Sequence, residues 1–78
     1  MQPEEVKAQL EIQLPDCQFE VSGDGSHFQV VAIGAVFESL NAVKKQQLIY
    51  GVLNDKIADG SIHALVIKTF TPDEWAAQ

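Results

Sequence analysis

Two segments of this chain are apolar on both of their faces and lie too far apart to form a hairpin. One is His27-Phe28-Gln29-Val30-Val31-Ala32-Ile33 and the other Ile62-His63-Ala64-Leu65-Val66-Ile67-Lys68-Thr69. A strand that reads this way is covered on both sides or central in its sheet. Between them runs a helical period. Asn41 is a good N-cap, Leu48, Ile49, Val52, Leu53 and Ile57 form one stripe, and the pattern continues to about Ala58. A strand–helix–strand crossover joins parallel strands, so the sheet must contain at least one parallel pair.

The remaining segments fit around that unit. Residues 3–14 predict a helix: Pro3 suits the first helical position, Glu4 and Glu5 suit the positive N-terminal end, and Val6, Leu10 and Leu14 form one stripe. Pro15 stops it. In residues 17–22, Cys17, Phe19 and Val21 alternate with Gln18, Glu20 and Ser22, as in a half-buried strand. Gly23-Asp24-Gly25-Ser26 is turn chemistry, so this strand and His27–Ile33 form an antiparallel hairpin. Gly34 to Leu40 is a connection with Val36 and Phe37 packed inward. Gly51 within the long helix costs about 1 kcal/mol relative to alanine, which predicts a close packing contact or a bend there. Gly60 is the stop. In Phe70-Thr71-Pro72-Asp73-Glu74-Trp75, Thr71 caps, Pro72 takes the first helical position and Glu74 closes a capping box. Phe70 and Trp75 occupy the two positions of a hydrophobic staple, so a short helix follows. The expected fold is a single α+β domain over residues 1–78, ordered α-β-β-α-β-α, with a three-stranded mixed sheet.

Seventy-eight residues support one small core and no deep substrate cavity. Eleven carboxylates against five lysines and no arginine give a net charge of −6, which repels phosphate and argues against nucleic acid as the main partner. The longest apolar run, Val30 to Phe37, falls short of the roughly 18–20 residues a membrane span needs. The N-terminus MQPEEVKAQL lacks the apolar stretch of a secretory leader, and the single cysteine allows no internal disulfide. Together these features predict a cytoplasmic protein without membrane association.

The soft or borderline metal ligands are Cys17, His27 and His63. Cys17 is in phase with Phe19 and Val21, so it reads as a buried, inert thiol with no histidine beside it. His27 begins the second strand and His63 the third. If those strands are parallel, both histidines lie at one end of the sheet. A lone half-buried histidine is more often a structural hydrogen-bonding residue than a ligand, but the shared end makes the pair a candidate metal site. Two histidines cannot close a structural site that normally takes four protein ligands, so any metal here needs donors from another molecule. Asp73 and Glu74 are explained by capping rather than acid–base catalysis. Gly23-Asp24-Gly25 precedes a strand, so it lacks the helix dipole of a phosphate cradle. No nucleophile–base–oxyanion constellation is visible, and the chain reads as non-enzymatic. Lys44 and Lys45 form the one basic doublet, for which a solvated helix face is the plain reading.

With His63-Ala64-Leu65 followed by Thr71-Pro72-Asp73-Glu74-Trp75, the chain resembles the BolA family. The likeness extends over Gly23-Asp24-Gly25-Ser26-His27-Phe28-Gln29-Val30 and Phe37-Glu38, and so covers nearly the whole chain. It implies an α-β-β-α-β-α fold akin to class II KH domains. The family's long helix usually carries an Arg-His pair near its start, where this chain has Lys45 and Gln46. The version Val43-Lys44-Lys45-Gln46-Gln47 is similar to the subgroup known as IbaG or YrbA, linked with acid stress. The resemblance also implies function by partnership. BolA-like proteins pair with monothiol glutaredoxins, and the complex holds a [2Fe–2S] cluster to which glutaredoxin and glutathione bring thiolates and the BolA-like chain brings histidine. His63 matches the family histidine before the third strand, and His27 is the residue available near the hairpin loop for a second ligand. The implied role is an adaptor in iron–sulfur trafficking or an iron or acid-stress response, with no cofactor in the isolated chain. The alternative is a KH-like nucleic-acid-binding transcriptional regulator working through Lys44, Lys45, Gln46 and Gln47. The net charge and the missing Gly-x-x-Gly loop oppose it.

Overall fold

The structure, a computed structural model, describes residues 2–78; Met1, the first residue of the acidic N-terminal stretch, lies outside the described residues. In chain order the elements are α1 (Pro3–Gln13), β1 (Gln18–Asp24), β2 (His27–Ile33), a short 3-10 helix (Ala35–Ser39), α2 (Ala42–Ala58), β3 (Ala64–Phe70) and α3 (Pro72–Ala76). The sheet order is β1-β2-β3, with β1 antiparallel to β2 and β2 parallel to β3. This is the α+β arrangement with a mixed sheet that the sequence predicts.

The element boundaries have local causes. At the start of α1 the Gln2 N–H donates to Glu5 Oε1 at 3.0 Å. At the start of α2, Asn41 Oδ1 accepts from the Lys44 N–H at 2.9 Å. Gly60, with φ of +86°, ends α2 in the left-handed conformation that glycine alone adopts freely. The hairpin loop is two residues long, so Gly23 and Asp24 belong to β1 rather than to the turn. Gly25 has φ of +67° and Ser26 does not share that sign, the pattern of a type II′ turn, whose twist suits the flanking strands. At α3 the capping box is complete: the Glu74 N–H donates to Thr71 Oγ1 at 3.2 Å, and the Thr71 N–H donates to Glu74 Oε1 at 2.8 Å. The Phe70 and Trp75 rings sit 5.3 Å apart as the staple.

Residues paired across a sheet share a face, so the register divides the side chains. Phe19, Ala32 and Thr69 line up on one face, as do Val21, Val30 and Ile67. This face meets α1 through Val6 and Leu10 and α2 through Ile49 and Leu53, with Phe37 and Ile62 closing the core. The opposite face carries Glu20, Val31 and Lys68, then Ser22, Gln29 and Val66, then Asp24, His27 and Ala64. It is largely open to water. At its far end Trp75 shares surface grooves with Gln18 and Ile33.

Three sequence expectations are corrected. Val36 is 44% exposed and only Phe37 is buried, because successive residues of a 3-10 turn point about 120° apart and cannot both face inward. β3 is an edge strand covered on one face, so Val66 is 52% exposed; only β2 is central. Gly51 lies on the exposed side of an unbroken α2, and a Cβ there would meet nothing within 4 Å. The close contact belongs instead to Gly34, where an added Cβ would lie 2.6 Å from Cys17 Sγ. Among the described residues no helix is long and apolar enough to cross a membrane.

Candidate metal centre

His27 is the first residue of β2, opposite Asp24 of β1 and Ala64 of β3. His63 directly precedes Ala64, one residue before β3 rather than in it. The parallel crossover therefore delivers both histidines to one end of the sheet. The main chain fastens them there. The Ser26 carbonyl accepts from the His63 N–H at 2.7 Å and from the Ala64 N–H at 3.3 Å. The loop residue before one histidine is thus bonded to the other histidine's own backbone. The two rings are nearly parallel, at 11°, with centroids 6.3 Å apart, and both residues are exposed.

The donor chemistry of this end is two imidazoles. Among the described residues no group of three or more His, Cys, Asp or Glu side chains is close enough to hold a metal ion. Cys17 does not join them. It precedes Gln18, which pairs with Ile33 at the far end of the β1–β2 ladder, whereas His27 pairs with Asp24. Cys17 is buried, and burial pushes its thiol above the ordinary range, with the charge of Asp16 adding to the shift. A thiol held protonated is a poor ligand. Two neighbouring nitrogens fit half of one metal's coordination shell. They fit a cluster completed by another molecule's thiolates, and they do not fit one held by this chain alone.

The four residues at the start of α2 do not form a common free surface. Lys44 is exposed, and its backbone N–H is taken by the Asn41 cap. Lys45 is half-buried and near the carboxylate of Glu74. Gln46 donates its Nε2 to the Ile67 carbonyl of β3 at 3.3 Å. Gln47 is exposed. Asp73 and Glu74 act as the α3 start. The Glu74 carboxyl is held below the usual carboxylate range first by the Thr71 N–H and then by the Thr71 hydroxyl. The Ser26 carbonyl and the Gln46 side chain are the two contributors that sequence reasoning misses. A backbone acceptor has no residue identity to read.

A family model described as BolA-like protein matches residues 2–74. The chain is 50% identical over 76 residues to the acid stress protein IbaG of Escherichia coli strain K12, covering 97% of this chain and 90% of that protein. It is 45% identical over 56 residues to the DNA-binding transcriptional regulator BolA of Haemophilus influenzae, covering 72% of this chain and 53% of that protein. Among solved structures, a bolA protein homologue from Coxiella burnetii matches with a TM-score of 0.83 and 32% identity, over 97% of both chains.

Proposed function

This chain belongs to the BolA-like family, and on that premise we propose that it is a non-enzymatic adaptor that binds a monothiol glutaredoxin and shares a [2Fe–2S] cluster with it. The observation that carries the reading is the pair His27 and His63, side by side and exposed at one sheet end, with no third donor close enough to join them among the described residues. Both would ligate one iron through an imidazole nitrogen, while thiolates of the glutaredoxin and glutathione hold the other. Histidine in place of thiolate raises a cluster's potential, which suits exchange or sensing better than permanent storage. A glutathione-bearing partner places the protein in a reducing, cytoplasmic setting. The name of the Escherichia coli relative supports a place in the acid-stress response.

The test is anaerobic reconstitution of the chain with a monothiol glutaredoxin, glutathione and an iron–sulfur donor. The mixed complex should show its own visible absorption and circular dichroism. His63→Ala should remove that signature and His27→Ala should shorten its lifetime. An unchanged spectrum and lifetime in His63→Ala defeats the reading.

A second reading, nucleic-acid binding, is favoured by the name of the Haemophilus influenzae relative. Lys44, Lys45, Gln46 and Gln47 would carry it, against a net charge of −6 and with Gln46 already bonded to β3. Phosphate contact weakens steeply with salt. A mobility-shift titration that finds no duplex or single-strand binding at low salt removes this reading.

A further inference from the structure

We propose that the free edge of β1 takes up an extended, basic segment of a partner protein as a fourth strand of the sheet. The proposal does not rest on the cluster reading.

The edge is open by register. Asp24 and His27 flank a two-residue loop, so they exchange both of their hydrogen bonds, and Ser22–Gln29, Glu20–Val31 and Gln18–Ile33 repeat the pattern. The N–H and C=O groups of Phe19, Val21 and Gly23 therefore point away from β2. β2 is the one strand beside β1, and among the described residues no backbone group of a loop or helix bonds to those outward groups. Sheet edges are commonly blunted by proline, a bulge, a cover or a lysine. The β1 pairing runs through all seven residues without a bulge or a proline, and its charged side chains, Glu20 and Asp24, are both acidic. β3 differs, because Gln46 occupies an outward carbonyl there and Lys68 supplies a cation.

The charge says what fits. A strand laid beside β1 puts alternate side chains on the two faces of the sheet. On the open face they meet Gln18, Glu20, Ser22 and Asp24, all exposed, and on the other face the half-buried Val21. Lysine or arginine suits the first set and an apolar residue the second. Trp75, 37% exposed, shares two surface grooves with Glu20, so a basic side chain drawn in by the carboxylate meets an aromatic ring to stack on. Lys7 is the cation at the first of these grooves, outweighed there by Glu11 and Glu20. Lys68 stands two strands away, across Val31. A second copy of this chain fits less well, because each copy carries −6 and brings the same two carboxylates to the edge.

The experiment titrates the isotope-labelled full chain with a peptide of alternating lysine and valine, blocked at both ends and seven residues long like β1. On binding, amide hydrogen exchange should slow at Phe19, Val21 and Gly23, while the outer edge of β3 keeps its rate. Affinity should fall as salt rises. Glu20→Lys should weaken binding by about fivefold or more, with circular dichroism confirming that the variant is folded. Two further peptides carry methyl groups on the backbone nitrogens of either the valines or the lysines. One of them loses the donors that face β1 and the other those that face water, with the charge unchanged in both, so one should lose binding and the other keep it. Equal binding by the two methylated peptides means charge attraction without strand addition, and it overturns the proposal. So do unchanged affinity in Glu20→Lys, protection of β3 in place of β1, and no response at millimolar peptide. Edge amides of β1 already protected in the concentrated, peptide-free chain would mark a second copy as the occupant and overturn it as well.

Discussion

Gly34 touches Cys17 at the sheet end remote from the histidines, and the contact sets up a quantitative test of the packing. A Cβ at position 34 would sit 2.6 Å from Cys17 Sγ and 3.4 Å from its Cβ. Ordinary non-bonded contact is about 3.5–4.0 Å, so something must move by roughly 1 Å. The φ of −170° is extended backbone that any residue adopts, so the neighbour and not the conformation excludes a side chain. The backbone cannot simply retreat, because the Gly34 N–H donates to the Phe70 carbonyl at 3.0 Å and prolongs the β2–β3 pairing. Overpacking of this kind costs about 1–3 kcal/mol. Alanine's smaller freedom in the unfolded chain offsets about 0.4–1 kcal/mol of that. Gly34→Ala should therefore lose about 1–2 kcal/mol, a fall in Tm of roughly 4–16 °C for a domain this small. Cys17→Ala alone removes one buried sulfur, at about 1 kcal/mol. In that background Gly34→Ala fills vacated space and should be neutral or slightly stabilising. Urea unfolding followed by far-ultraviolet circular dichroism gives the four free energies of the cycle. Equal losses from Gly34→Ala in both backgrounds would refute the reasoning and move the cause from the sulfur to the backbone.

Phe37 is fully buried and Val36 is not, so the two substitutions should separate widely. Phe37→Ala should cost about 3–5 kcal/mol and Val36→Ala less than about 0.5 kcal/mol, both measured as shifts of the denaturant midpoint; comparable losses would mean the connection is placed wrongly. Glu74 makes acid stability partly a property of α3. Its carboxyl is held below its ordinary range by the Thr71 N–H, so the stability it contributes is present above the unfolded carboxylate range and is lost as pH falls through the lowered value. Glu74→Gln should therefore flatten the acid limb of a stability–pH profile read by Trp75 fluorescence, and an unaltered limb would count against the cap.

The fold was readable where a residue type has one structural use. Asn41, Gly60 and the Thr71–Trp75 segment mark ends that only capping and a left-handed stop explain, and the structure places helix ends at each. The common location of His27 and His63 followed from topology, since a parallel crossover returns the chain to the same sheet end. Their 6.3 Å approach did not, because it depends on the Ser26 carbonyl, a group every residue possesses. β3 misled for a related reason. An apolar run does not say whether its second face is covered, and Val66 is left in water. Gly51 misled because helix propensity records a cost and not a purpose, and nothing in the packing around it requires glycine.

The hydrogen bond from Gln46 to Ile67 has a meaning beyond the start of α2. β3 lies at the margin of the sheet, and a bare margin invites a foreign strand to add itself, the first step toward insoluble assemblies. The side-chain amide occupies an acceptor such a strand would need, and the charge of Lys68 discourages the rest. Gln46→Ala should reopen that acceptor and show itself as greater light scattering on warming, with the native circular dichroism unchanged beforehand. A glutamine at the start of α2 thus guards solubility at the border that Val66 leaves greasy.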